Sequence, residues 1–247
     1  MPDPRPRGNV TVWRRQRPGI LRRLAQTIMG LIAILFGCMV YTWFMLPDVR
    51  PLRTKMPATT AFMDLRAREA AAAGKKAGVA QRVVRYGQIS PLLIRAVLVA
   101  EDAAFFSHDG VDYDELRESI EVNWERWRFL RGASTITQQL AKNLYLSPSR
   151  NPYRKVTELL ITRRLEAELP KSRILEIYLN VIEWGDGIWG AEAAAERYFG
   201  IPASELSADQ AALLAAAIIN PRVYSPARPN ARLLRRQQLI LTRMRVQ

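Results

Sequence analysis

The chain has 247 residues, 49% of them hydrophobic, which is room for one sizeable domain and an appendage rather than two full domains. With Cys38 the only cysteine and His108 the only histidine, an intrachain disulfide and a zinc site built from Cys and His are excluded, so chemistry must rest on carboxylates, hydroxyls, amides and cations. A formal charge of +14 calls for a polyanionic partner: nucleic acid, an anionic membrane surface or a phosphorylated substrate.

Residues 1–23 form a basic tail, with Arg5, Arg7, Arg14, Arg15, Arg17, Arg22 and Arg23 against the single acid Asp3. Residues 24–46 then carry no formal charge, and these 23 residues span roughly 35 Å as a helix, more than a hydrocarbon core of about 30 Å. Tyr41, Trp43 and Phe44 sit near one end, where aromatic side chains favour the interface. The stretch is too long for a signal-peptide core, and Met45-Leu46-Pro47 is a poor cleavage site, so a single-pass transmembrane anchor is expected. Positive charge ahead of it predicts a cytoplasmic N-terminus and an extracytoplasmic domain over residues 47–247. That placement argues against nucleic acid as the polyanion.

Beyond the anchor the pattern is helical, without convincing alternating strands or Asn-Gly hairpins, and the expected fold class is all-α. Ser90-Pro91 reads as an N-cap and first-turn proline opening the apolar run LLIRAVLVA, which ends at Glu101. Asp112 is expected to cap a helix carrying Leu116, Ile120, Trp124 and Trp127. Ser134 is expected to cap the next, through about Leu146, after the loop Arg131-Gly132-Ala133. Pro152 suits the start of a helix through about Leu169, and Ser172 that of another ending near Asn180. The loop Gly185-Asp186-Gly187 precedes a helix closed by Gly200. Ser207 and Gln210 make a capping box before AALLAAAII, and a basic amphipathic segment begins near Ala231. Ala70–Gly78 reads only as a locally simple helix or linker.

Three clusters carry candidate chemistry. The first opens at Glu101, a carboxylate at the C-terminal end of a nearly all-apolar helix, where desolvation and the negative helix end both disfavour its charged form. Such an acid suits proton transfer near neutral pH, although a helix-terminal acid paired with a surface arginine would look the same. His108 in the same cluster reads as structural. The second holds Ser134, Thr135, Thr137, Gln138, Gln139, Lys142 and Asn143, with hydroxyls at a helix N-terminus offering N–H groups to an anion, and Gln138 and Lys142 sharing a face. A solvated polar stripe is the bland alternative. In the third, Arg150 precedes Arg154, Lys155 and Glu158; Arg154 and Glu158 alone would be a surface i,i+4 pair contributing about 0.3–0.5 kcal/mol.

Taken together these segments resemble the family 51 glycosyltransferases, the peptidoglycan glycosyltransferases. The resemblance runs in order through EDAAFFSHDGVD, GASTITQQLAKN, RKVTELL with RRLE, KSRILEIYLNVIEWGDGIWGAEAAAERYFG, and LSADQAALLAA with NPRVYSP, over about residues 90–230. Five motifs in the right order and spacing are far more specific than any one alone. The resemblance implies a lysozyme-like helical fold behind the anchor and polymerisation of lipid II with inversion and release of undecaprenyl pyrophosphate. By the same resemblance Glu101 is the general base toward the acceptor 4-hydroxyl, and Glu158 assists at the donor and leaving-group side. Ser134, Gln138, Lys142, Asn143 and Arg150 would line the donor phosphates and sugars, with Arg154 and Lys155 close enough in sequence to contribute. No cofactor is required by this reading; a divalent cation, magnesium or manganese, could sit on the pyrophosphate near Asp102, Asp109 or Asp112. The implied partners are lipid II, the growing glycan strand and the lipid bilayer of the bacterial cytoplasmic (inner) membrane, with other cell-wall synthesis or division proteins as further candidates and no nucleic acid. Gln210 stands where the family commonly has glutamate, and Ile201 where lysine is frequent. No serine has a lysine three residues on and Lys-Thr-Gly is absent, so a monofunctional member without transpeptidase activity is expected. A muralytic hydrolase, also built on carboxylates in a helical fold, and a catalytically inert scaffold remain the competing readings.

Overall fold

The computed structural model describes residues 19–75, 80–125, 134–147 and 152–246. They divide into two compact units between Met45 and Leu46. The first is a single helix, α1 (Ile20–Met45), which starts inside the basic flank and is long and apolar enough to cross a membrane. Its polar side chains turn inward onto the backbone: the Thr27 and Thr42 hydroxyls donate to the carbonyls of Arg23 and Cys38 four residues earlier.

The second unit is helical, as the patterning implied: α2 (Ala61–Ala72), α3 (Pro91–Glu101), α4 (Tyr113–Glu125), α5 (Ile136–Tyr145), α6 (Pro152–Glu168), α7 (Lys171–Val181), α8 (Ala191–Phe199), α9 (Ala208–Ala217) and α10 (Ala231–Val246). At its centre runs α7, whose Ile174, Leu175, Ile177, Tyr178, Leu179 and Val181 have no exposed surface. Burying each large aliphatic side chain contributes about 1.5–3 kcal/mol, so this one helix anchors the core. Against it packs α5, which also contacts α6, while α3 lies on α9 and α10.

Local chemistry explains most boundaries. The Ser90 hydroxyl accepts from the Leu92 N–H and donates to the Leu206 carbonyl, so one cap both starts α3 and ties it to the chain before α9. Asp112 caps α4 by accepting from the Glu115 N–H, as expected, although Leu116 and Ile120 face outward and Trp127 lies outside the described residues. The cap of α5 is Thr135 and not Ser134: Thr135 and Gln138 form the reciprocal box that closes the first turn. In α8 the chain leaves the helix through Gly200 in the left-handed conformation (φ 69°). Gln210 accepts from the Ser207 N–H at 2.9 Å, a task glutamine performs as well as glutamate, and Ile201 packs against the core.

Two features differ from the sequence reading. α2 is a full helix capped by Thr60, which accepts from the Met63 N–H at 3.1 Å. A small sheet is also present, with β1 (Ala80–Gln81), β2 (Glu183–Gly185) and β3 (Ile188–Trp189) in the order β1-β3-β2; β1 is parallel and β2 antiparallel to β3. It forms where the expected glycine loop turns back, and it buries Trp184 and Trp189. Fully buried Asn180 pins the extended segment that follows β1, accepting from the Val84 N–H and donating to the Val84 carbonyl, both at 2.9 Å.

Candidate active site

α3 ends at Glu101 because Asp102 leaves helical geometry (φ −166°, ψ 80°). Asp102 then reaches sideways: one carboxylate oxygen accepts from the backbone N–H of Ile136 at 2.9 Å, and the other meets His108 Nε2 at 2.9 Å. The Gly110 N–H donates to His108 Nδ1, which places the imidazole proton on Nε2, toward Asp102. His108 is therefore structural, and the first anion at the α5 N-terminus is the protein's own carboxylate. The other polar groups there also turn inward. The Thr135 hydroxyl donates to the Gly110 carbonyl at 2.7 Å, that of Thr137 donates to Glu166, and the Gln138 N–H is taken by the Thr135 cap. Two of the N–H groups expected to meet a substrate anion are thus already engaged.

Glu101 itself is nearly enclosed, with 12% of its side-chain surface exposed. One oxygen accepts from Gln139 Nε2 of α5 at 2.9 Å and the other from Arg236 Nη2 of α10 at 3.2 Å. Burial pushes its carboxyl above the ordinary glutamate value, while the Gln139 hydrogen bond and the charges of Arg236 and Lys142 pull the other way. The Gln139 side-chain oxygen in turn accepts from the phenol of Tyr178 at 2.8 Å. Tyr178 is wholly buried, and burial followed by the charges of Glu101 and Asp102 raises its phenol well above its ordinary value.

On the same face of α5, Lys142 sits three residues beyond Gln139. Burial lowers its ammonium below the usual lysine value, as do Arg154 and Lys155, while Glu158 and Glu101 oppose the shift. Lys142 is thus within electrostatic reach of both carboxylates. Glu158 is buried on α6 and held by Arg154 Nη1 at 3.2 Å and by Lys155 Nζ. The pair is not the exposed helix-surface bridge that spacing alone suggested: a buried carboxylate with two cations is an organised charge cluster, and removing its partners strands a buried charge.

The sequence candidates therefore separate. Glu101, Lys142, Glu158, Arg154 and Lys155 form one electrostatic chain across α3, α5 and α6. Ser134 is exposed and lines a cleft of about 200 Å³ with Glu101, Asp102, Asp112, Glu115 and Arg243, whereas Lys142 and Glu158 do not line it. Gln138 is buried and spends its side-chain oxygen on the cap, and the Asn143 amide donates to the Gln139 backbone carbonyl. Arg150 and the loop 131–133 lie outside the described residues. Gln139 stands in the second sequence cluster without a role of its own there, while Tyr178 and Arg236, distant in sequence from Glu101, were not candidates.

Asp102, His108 and Asp112 bring ligand atoms within 4.8 Å of one another. Each also makes a protein hydrogen bond: Asp102 to His108 and to the Ile136 N–H, and Asp112 to the Glu115 N–H.

Comparisons with known proteins identify the family. The family model described as Transglycosylase matches residues 68–245. Biosynthetic peptidoglycan transglycosylase of Laribacter hongkongensis is 47% identical over 217 residues, covering 88% of this chain and 95% of the relative. The protein of the same name from Nitrosospira multiformis is 45% identical, covering 86% and 91%, and that from Nitrosomonas eutropha is 45% identical, covering 92% and 93%.

Proposed function

The chain belongs to the transglycosylase family, and from that premise we propose how it carries out the peptidoglycan glycosyltransferase reaction of cell-wall synthesis. The substrate is lipid II. Glu101 removes the proton from the acceptor sugar's 4-hydroxyl as that oxygen attacks the donor's anomeric carbon. The C1–O bond to the diphosphate breaks with inversion, and undecaprenyl pyrophosphate leaves as an anion. Lys142 is the central cation on the leaving-group side, with Arg154 and Lys155 near it and Glu158 organising them; the family resemblance adds Arg150 to the same role. Ser134, Gln138 and Asn143 complete the donor surroundings. Preorganised cations in a partly dry site stabilise charge as it develops. No protein-bound cofactor is needed; a magnesium or manganese ion would act as counter-ion to the substrate's own diphosphate.

One observation supports this most: a nearly enclosed carboxyl of raised proton affinity lies within electrostatic reach of the half-buried Lys142, which also feels the charge of a second, buried carboxylate, Glu158. A base near neutral pH and a cation for a departing diphosphate are what the reaction asks for, whereas a hydrolase has no diphosphate to hold. We further read α1 as a single-pass anchor with the basic tail in the cytoplasm, so that the catalytic unit works outside the cytoplasmic membrane, where a polyprenyl-linked substrate is held in the bilayer.

Incubation of the purified protein with lipid II tests the reading. Long glycan with release of polyprenyl pyrophosphate is expected; shortening of preformed glycan without that release would replace it with a hydrolase.

A further inference from the structure

Glu101 poses a problem that its role as base does not solve. A base must be an acceptor, yet an enclosed carboxyl favours its protonated form. Its two polar contacts differ in quality. Arg236 offers a single Nη2 contact at 3.2 Å, and its Nε is buried without a partner, so the pair is not a two-pronged clamp. The shorter contact, at 2.9 Å, comes from the Gln139 amide, which has two faces. Turned one way it donates to Glu101 and favours the carboxylate; turned the other way its oxygen accepts from Glu101 and favours the acid. Nothing in glutamine itself chooses between them.

Tyr178 makes the choice. Its hydroxyl is buried, and Gln139 Oε1 is the only acceptor it meets among the described residues, at 2.8 Å. Were the amide to turn, Nε2 would face the phenol and the hydroxyl hydrogen would lose its acceptor at a fully buried position. Resting on the reading of Glu101 as base, we propose that Tyr178 is a positioning residue for the reaction: its phenol fixes the sense of the Gln139 amide, which then presents N–H to Glu101 and keeps that carboxyl an acceptor. The relay crosses three helices, from α7 through α5 to α3. The other charged groups around Glu101 are Lys142 on α5, Arg236 on α10 and the adjacent Asp102, with Asp112, Glu115 and Arg243 lining the same cleft; the buried stretch Ala211–Ala217 of α9 brings none.

The test uses the full-length protein in detergent, labelled with ¹³C-glutamate and ¹⁵N-glutamine. The Glu101 carboxyl resonance is identified by its absence in Glu101→Gln, and the rate of lipid II polymerisation is followed against pH. Tyr178→Phe is expected to raise the midpoint of the Glu101 titration by about one unit, carrying the acid limb of the rate with it, although Tyr178 does not touch Glu101. Gln139→Met should raise it at least as far. In the Gln139→Met background, adding Tyr178→Phe should move it no further, because the phenol acts only through the amide. A merely structural tyrosine would lower stability and leave the Glu101 midpoint in place, which would overturn the proposal. Should Tyr178→Phe not fold, the wild-type protein still decides: the Gln139 side-chain N–H resonances must move with the Glu101 titration, and immobility overturns the relay. Spectra that behave as expected while Glu101→Gln still polymerises would count against the base role, and so against Tyr178's part in the reaction; spectra that do not move count against the relay alone.

Discussion

At the scale of single residues the account turns on what it costs to keep Glu101 where it is. Its folded-state proton affinity is raised, so the folded chain binds a proton that the unfolded chain releases above about pH 4.5. Stability tied to this group is therefore fully present below that pH and falls as pH rises through the folded-state value. Glu101→Gln removes the burdened charge, and the variant is expected to melt above wild type at neutral pH, with the difference closing as pH falls below about 4.5. Calorimetry across that range checks it, and a variant less stable at neutral pH would show that the Arg236 and Gln139 contacts outweigh burial. Lys142 works in the opposite sense, since its ammonium favours the carboxylate. Lys142→Met should move the acid limb of the rate upward. It should also weaken donor binding by about ten- to a hundredfold, the range for losing a hydrogen bond to a charged group; unchanged KM and an unshifted profile would remove it from the site.

Helices and loops set these residues in place, and here sequence and structure diverge instructively. The caps at Ser90, Asp112, Ser207 and Gly200 were legible because each is a local rule of side chain and backbone. At α5 two hydroxyl residues stand in a row, and the partner that decides between them is Gln138, three residues after Thr135; the box was written in the chain but read one residue early. The missed α2 has almost no apolar stripe, and strands of two or three residues are too short to show a period. The site was half legible. Glu101, Lys142 and Glu158 announce themselves through charge in apolar or basic surroundings, while Tyr178 and Arg236 reach it from 39 residues beyond Gln139 and 135 beyond Glu101, separations that only packing can bridge. The loop after α3 tests this element-level picture. Gly110 has φ +83°, and a Cβ there would lie 2.6 Å from the Thr162 side chain and 2.9 Å from that of Glu166. Gly110→Ala is expected to cost about 1–3 kcal/mol in denaturant titration, from backbone strain and overpacking against α6. A neutral result would mean that the loop is free to move, and would weaken the claim that Asp102 and His108 hold α5 against α3.

For the molecule as a whole, the charge of +14, the apolar helix and the enclosed acid are what the proposed setting, a membrane surface carrying a diphosphate-linked sugar, calls for. The anchoring itself is open to a direct check: a phosphatase fused to the C-terminus is expected to be active, as it is only outside the cytoplasm, and an inactive fusion at normal expression would reverse the topology. Beneath all of this stands the claim that one carboxylate accepts the acceptor sugar's proton opposite a cationic cluster. The most direct measurement is the initial rate of polyprenyl pyrophosphate release from lipid II by folded Glu101→Gln beside wild type. A loss of about 10²–10⁴-fold, the usual weight of a general base, is expected; turnover within a few-fold of wild type would contradict the account.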